Sequence, residues 1–142
     1  MGAPVVHFEV FGKDAKKLQK FYSSMFGWTI DANNPMNYGL VSTGSKLGFQ
    51  GGIGQAQPGQ PLMAIFYIAV DKPQTYLDKI VKAGGKVIVP VTVIPNMVTF
   101  AQFADPDGNV VGIVANVMPT TPKVKKSPAK KTTSAEKKPG KK

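Results

Sequence analysis

The chain reads as an α+β protein: two βαβββ modules whose curved mixed sheets lie around a cleft. Three observations predict it. Residues 3–58 and 61–116 are two copies of one unit, with Phe8 recurring as Phe66, Gly27 as Gly85, and Leu18, Phe21 and Tyr22 as Leu77, Ile80 and Val81. These offsets are 58 or 59 residues. Each copy opens on a strand pattern, passes into a helical pattern, and restarts as strand after a glycine. A repeat of this length cannot bury its apolar face alone, so two units packed together are expected. A site then belongs in the cleft they form.

The elements follow in order. Val5 to Phe11 alternates, with His7, Glu9 and Phe11 on one side and Phe8 and Val10 on the other. Asp14 to Met25 places Leu18, Phe21, Tyr22 and Met25 on one helical stripe and Lys16, Lys17 and Lys20 outward. Phe21 and Tyr22 are expected in the core. Gly27 ends that helix, and residues 28–53 carry three short strands separated by Asn33-Asn34-Pro35 and Gly44. Gly54 to Pro61, rich in Gly, Gln and Pro, reads as the linker between copies. The second copy gives strand 62–70, helix 73–83 and strand 86–94. A turn at Pro95-Asn96 leads to strand 97–104, and the turn Asp105-Pro106-Asp107-Gly108 to strand 109–115. Asp105 and Asp107 lack the further oxygen donors of a calcium loop, so a plain turn is expected.

Composition narrows the function. The absence of cysteine excludes disulfides, thiolate metal sites and cysteine nucleophiles. No run of 18 apolar residues and no secretory pattern occurs, and Val6 stands where a myristoylation signal wants Ser or Thr, so a cytoplasmic protein without a membrane partner is expected. The net charge of +10 is unevenly placed. Residues 1–118 hold nine lysines against seven acids, net +2, while 119–142 hold nine lysines and Glu136, net +8. There is no arginine. The division is thus a folded domain, 1–118, and a lysine-rich tail, 119–142. The tail has too little to bury and is expected to be disordered. Its Lys123, Lys125, Lys126, Lys130, Lys131, Lys137, Lys138, Lys141 and Lys142 suit non-specific contact with DNA, RNA or another polyanion.

Within the domain, His7 is the only histidine, and Glu9 shares its face of the strand. Alternation leaves Glu9 two placements, inside the cleft or at a solvated rim. Inside, its pKa would rise, suiting it to general-base work or to gripping an amine or hydroxyl. Tyr67, Phe100 and Gln102 lie on strands expected to line the second half of the cleft. Trp28 is suited to stacking on a planar ligand, but core filling is the favoured reading.

The runs Val6-His7-Phe8-Glu9-Val10, Phe21-Tyr22, Phe26-Gly27-Trp28 and Phe103-Ala104-Asp105-Pro106-Asp107-Gly108-Asn109, taken in order, resemble the vicinal oxygen chelate superfamily. That group includes glyoxalase I, bleomycin- and fosfomycin-resistance proteins and extradiol dioxygenases. The resemblance covers residues 3–116 and implies the same paired βαβββ fold. Its enzymes hold a divalent metal with His, Gln or Glu from particular strands. The corresponding positions here are His7, Gln50, either Ile65 or Phe66 according to register, and Gly112. Because a catalytic metal needs about three protein ligands, the resemblance implies a domain that binds a small organic ligand through His7, Glu9, Gln50, Tyr67, Phe100 and Gln102 without a resident metal or other cofactor. A glyoxalase-like lyase or isomerase, using His7, Glu9 and Gln50 around a weakly held metal, is the alternative. A nucleic-acid-associated protein acting through its tail is the second. A homodimer is expected, from open sheet edges and from the habit of the family.

Overall fold

Each helix begins and ends where the local chemistry requires. The structure, a computed structural model, describes residues 2–116. After strand β1 (Val5–Gly12), the carboxylate of Asp14 accepts from the backbone N–H of Lys17 and starts α1 (Ala15–Phe26). Gly27 ends it in the left-handed region at φ 69°, its N–H donating to the Ser23 carbonyl. Strands β2 (Thr29–Asp31), β3 (Gly39–Ser42) and β4 (Gly51–Gln55) complete the first module. The second repeats the plan with β5 (Ala64–Val70), α2 (Pro73–Lys82), β6 (Lys86–Ile94), β7 (Val98–Ala104) and β8 (Val110–Ala115). Pro73 opens α2, where its missing N–H costs nothing.

The eight strands form one continuous mixed sheet in the order β2-β3-β4-β1-β5-β8-β7-β6. The two module sheets are therefore halves of a single surface, joined where β1 and β5 run antiparallel. Within each half the first strand pairs in parallel with the last, β1 with β4 and β5 with β8. Directly paired residues share a face. Phe8 pairs with Phe66 on one face, and His7 with Tyr67 and Glu9 with Ile65 on the other. The first face carries both helices: Leu77 of α2 packs with Val70, Ala101 and Ile113, and Tyr22 of α1 stacks on Trp28, which meets Phe8. Burying Leu77 and Ile113 contributes roughly 2 kcal/mol each. The opposite face is left to the site.

Two sequence expectations change here. Strand β4 runs through Gly54 to Gln55, so the linker is shorter than 54–61. The Gln55 side chain accepts from the Ala15 N–H, and Gln19 donates to the Ile53 carbonyl, so this segment is bonded to α1. Phe21 is not core; it is 52% exposed, as is 60% of Met25. Helix α1 seats Ala15, Leu18 and Tyr22 against the sheet, and Phe21 instead walls an apolar groove with Leu18, Val10 and Leu62. Trp28 keeps its favoured reading: it lies in an aromatic cluster with Phe8, Tyr22 and Phe26 on the helix side, its ring at 7° to that of Tyr22. That is the core-filling role. The Asp105 turn also forms as expected, the carboxylate accepting from the backbone N–H groups of Asp107 and Asn109. The tail expectation concerns residues outside those described.

Candidate functional site

The central strands put a carboxylate in the middle of the free face. Past a register shift between Val5 and His7, regular pairing of His7 with Tyr67 and Glu9 with Ile65 turns both side chains away from the helices. Glu9 is bonded from both modules. The Tyr38 hydroxyl donates to Oε2 at 2.7 Å and the Tyr67 hydroxyl to Oε1 at 2.7 Å. A phenol has one hydrogen, so each hydroxyl, having donated to Glu9, can only accept from its second neighbour. Tyr67 accepts from Nε2 of Gln102 at 2.8 Å, and Tyr38 from Nε2 of His7 at 3.1 Å. With Glu9 ionised, this assigns the hydrogen of His7 to Nε2 and leaves Nδ1 an acceptor. Gln102, His7 and the two phenols thus all point their hydrogens inward, toward one carboxylate.

Burial sets the electrostatics. It raises the pKa of Glu9, while the bonds from Tyr38 and Tyr67 pull it back down. Burial also lowers the pKa of His7, so the ring is neutral near pH 7. Both phenols rise well above the ordinary tyrosine value, through burial first and then the neighbouring Glu9 charge. They are donors in this site and do not ionise. The Phe100 ring lies edge-on to Tyr67 at 6.3 Å, and His7 meets the same ring edge-on at 5.7 Å.

Two glycines make room for the phenols. A Cβ on Gly52 would overlap the Tyr38 hydroxyl, and one on Gly112 would lie 2.8 Å from Cγ of Tyr67 and nearer still to its edge. The repeat explains the pairing. Glu9 lies beside Gly52 on β1 and β4, as Tyr67 lies beside Gly112 on β5 and β8. His7 correspondingly has Ile65 as its counterpart.

Of the residues expected from sequence, His7, Glu9, Tyr67, Phe100 and Gln102 come together. Gln50 does not; it is exposed, and its side-chain carbonyl accepts from the Thr43 N–H. Glu9 takes the cleft placement rather than the rim. The register puts Ile65, not Phe66, on the site face. Tyr38 escaped the sequence reading because it precedes the short strand β3 in a turn-rich loop. Its signal was the repeat: counted from the Leu40–Gly52 and Gln102–Gly112 pairs, Tyr38 is the counterpart of Phe100. Asn34 fixes that loop, donating to the Tyr38 carbonyl and accepting from its N–H.

These donors do not fit a three-ligand divalent metal. Among the described residues no group of three His, Cys, Asp or Glu side chains comes together. Both Glu9 oxygens accept from phenols, Ile65 offers no donor, Gln50 is turned away, and the Tyr67 ring fills the space a side chain at 112 would need.

A curved sheet of paired βαβββ halves, with a polar cluster across the seam, defines a class that the comparisons name. The sequence model of the Glyoxalase/Bleomycin resistance protein/Dioxygenase superfamily matches residues 5–113, and the chain belongs to that superfamily. It is 34% identical over 106 residues to a Mycobacterium tuberculosis protein named "Putative glyoxylase CFP32", across 70% of this chain and 41% of that one. The chain thus spans about two fifths of that relative. A "Glyoxylase-like domain-containing protein" of Didymella fabae is 28% identical over 114 residues, across 74% of this chain and 88% of the other. In fold, the chain resembles a superfamily member from Vibrio splendidus at a TM-score of 0.56 and 14% identity, covering 82% of this chain and all of that one. No helix among the described residues is long and apolar enough to cross a membrane.

Proposed function

We propose that the free face of the sheet binds a small organic molecule, without a resident catalytic metal, and that Glu9 is its polar centre. The observation that carries this is the Glu9 carboxylate held by Tyr38 from one half and by Tyr67, the first strand of the other half. The bonds fill the positions from which a metal would be held and leave an oriented carboxylate beside aromatic rings, a combination suited to recognition. Metal analysis of the full chain, purified without chelator, is expected to find well under one equivalent of Ni, Zn, Mn or Fe. Stoichiometric metal that disappears in His7→Ala overturns the metal-free reading.

The names of the relatives favour a second reading, a glyoxalase-like lyase or isomerase. It requires Gln50 to leave Thr43 and turn toward His7 and Glu9. A glyoxalase assay with and without added Ni or Zn decides: metal-dependent turnover abolished by both His7→Ala and Gln50→Ala supports the enzyme. The basic segment 119–142 supports a separate polyanion contact, which rests on its charge alone.

A further inference from the structure

We infer that the molecule this face takes is an organic cation, an ammonium group on an aromatic or apolar body, held by Glu9 with the ring of Phe100 as its aromatic contact. The inference rests on the reading of the face as a ligand site and adds the charge class of the ligand.

Hydrogen counting is the first support. The hydroxyl hydrogens of Tyr38 and Tyr67 are both spent on Glu9, and the Nε2 hydrogen of His7 is spent on Tyr38. What the cluster still offers a ligand is acceptors, the remaining lone pairs of Glu9 and Nδ1 of His7, because Gln102 and its second amide hydrogen are buried. A ligand must therefore bring hydrogens, and an ammonium brings three.

Charge is the second support. Among the described residues Glu9 is the one carboxylate at the centre of this face, and no cation stands near it. Glu9 is influenced only by burial and the two phenols, with no lysine charge acting on it. Lys16, Lys17 and Lys20 belong to α1 and Lys79 and Lys82 to α2, on the opposite side of the sheet. Lys13 follows β1, Lys46 is exposed between β3 and β4, and Lys72 precedes α2. Lys86 pairs with Ala104 on the site face, but on the edge strand β6, four strands from β1 and so roughly 19 Å across the sheet. The chain has no arginine. An anionic ligand would meet a partly buried carboxylate with no cation among the described residues to offset it, whereas a cation gains from Glu9 directly.

The third support is the aromatic wall. Tyr67, whose hydroxyl is bonded to Glu9, is itself buried, so the ring open to a ligand is that of half-buried Phe100, packed against Tyr67, and a ring face attracts a desolvated cation. Leu40, 45% exposed on the same face, supplies the hydrocarbon contact for a ligand body.

The test uses three probes of one shape and different charge: 2-phenylethylamine, 2-phenylethanol and 3-phenylpropionate. Each is titrated into the isotope-labelled full chain, and the amides of Gly52 and Gly112 and the His7 imidazole are followed by NMR. The amine is expected to move these signals at about tenfold lower concentration than the alcohol, and the carboxylate not at all up to its solubility limit. Glu9→Gln should bring the amine to the level of the alcohol while the alcohol is unchanged. Phe100→Leu, which disturbs no hydrogen bond of the cluster, should weaken the amine more than the alcohol. A carboxylate that binds as well as the amine overturns the inference. Equal binding of amine and alcohol, insensitive to Glu9→Gln, also overturns it but leaves the ligand-site reading standing. If no probe moves a site resonance, both fall.

Discussion

Replacing Gly112 by alanine tests the core of the site with one methyl group. The added Cβ would stand 2.8 Å from Cγ of Tyr67 and closer to its Cδ2 and Cε2 atoms, so the ring must leave. It cannot leave and keep its bonds to Glu9 and Gln102, both 2.7–2.8 Å in the native site. Losing a hydrogen bond to a charged acceptor together with a neutral one costs about 3 kcal/mol. For a domain of this size that lowers the melting temperature by about 10 °C. Gly108 is the control. It has a φ of 94° and open space around it, so alanine there meets backbone strain alone, about 1 kcal/mol. The decisive arm is a double-mutant cycle in circular dichroism melts. In a Tyr67→Ala background, Gly112→Ala should cost under about 1 kcal/mol, because the ring it displaces is gone. If Gly112→Ala melts within about 2 °C of the wild type, or costs the same in both backgrounds, Tyr67 is not held over Gly112 and the network described above is wrong.

Three further expectations follow from the same observations and from charge. His7, the chain's one histidine, should titrate by proton NMR below 6.5, because burial disfavours its charged ring. The unfolded chain then takes up that proton first, so relative to His7→Asn the wild type should lose stability as pH falls below 6.5; titration at or above that value refutes the burial. Truncation after residue 118 removes eight net positive charges and should abolish most affinity for heparin or DNA and flatten its salt dependence; undiminished binding would place the contact on the domain. The open edges β2 and β6 favour self-association, so sedimentation should show a dimer at high micromolar concentration, and a monomer there would refute it.

The fold was legible because the repeat announces it. Phe8 and Phe66, placed in register by sequence alone, turn out to be paired residues on adjoining strands. The site was legible in part, and the reason is periodicity. His7 and Glu9 sit on a long alternating strand, so their shared face could be read two residues at a time. Tyr38 sits at the end of a loop whose course is set by Asn34 and by the positive φ of Asn37, and no period runs through it. Gln50 failed for a related reason: it precedes β4, and its amide satisfies the Thr43 backbone instead of following the strand. The exposure of Phe21 shows a further limit. A helical stripe says which residues share a side of α1, but the width of sheet beneath it decides how many are covered.

The near-symmetry of the two halves has a consequence for orientation. Crossing the β1–β5 seam, imidazole is exchanged for the hydrocarbon of Ile65, carboxylate for the phenol of Tyr67, and the phenol of Tyr38 for the bare ring of Phe100. The backbone repeats while its chemistry does not. The ligand proposed above, lying across the seam, would meet the acceptors of Glu9 and His7 on one flank and the Phe100 ring on the other, so rotating it by half a turn would set its polar end against Phe100. Under the proposed function, such a surface would distinguish head from tail in its ligand. One polar orientation is thus cut from a scaffold with two equivalent ones.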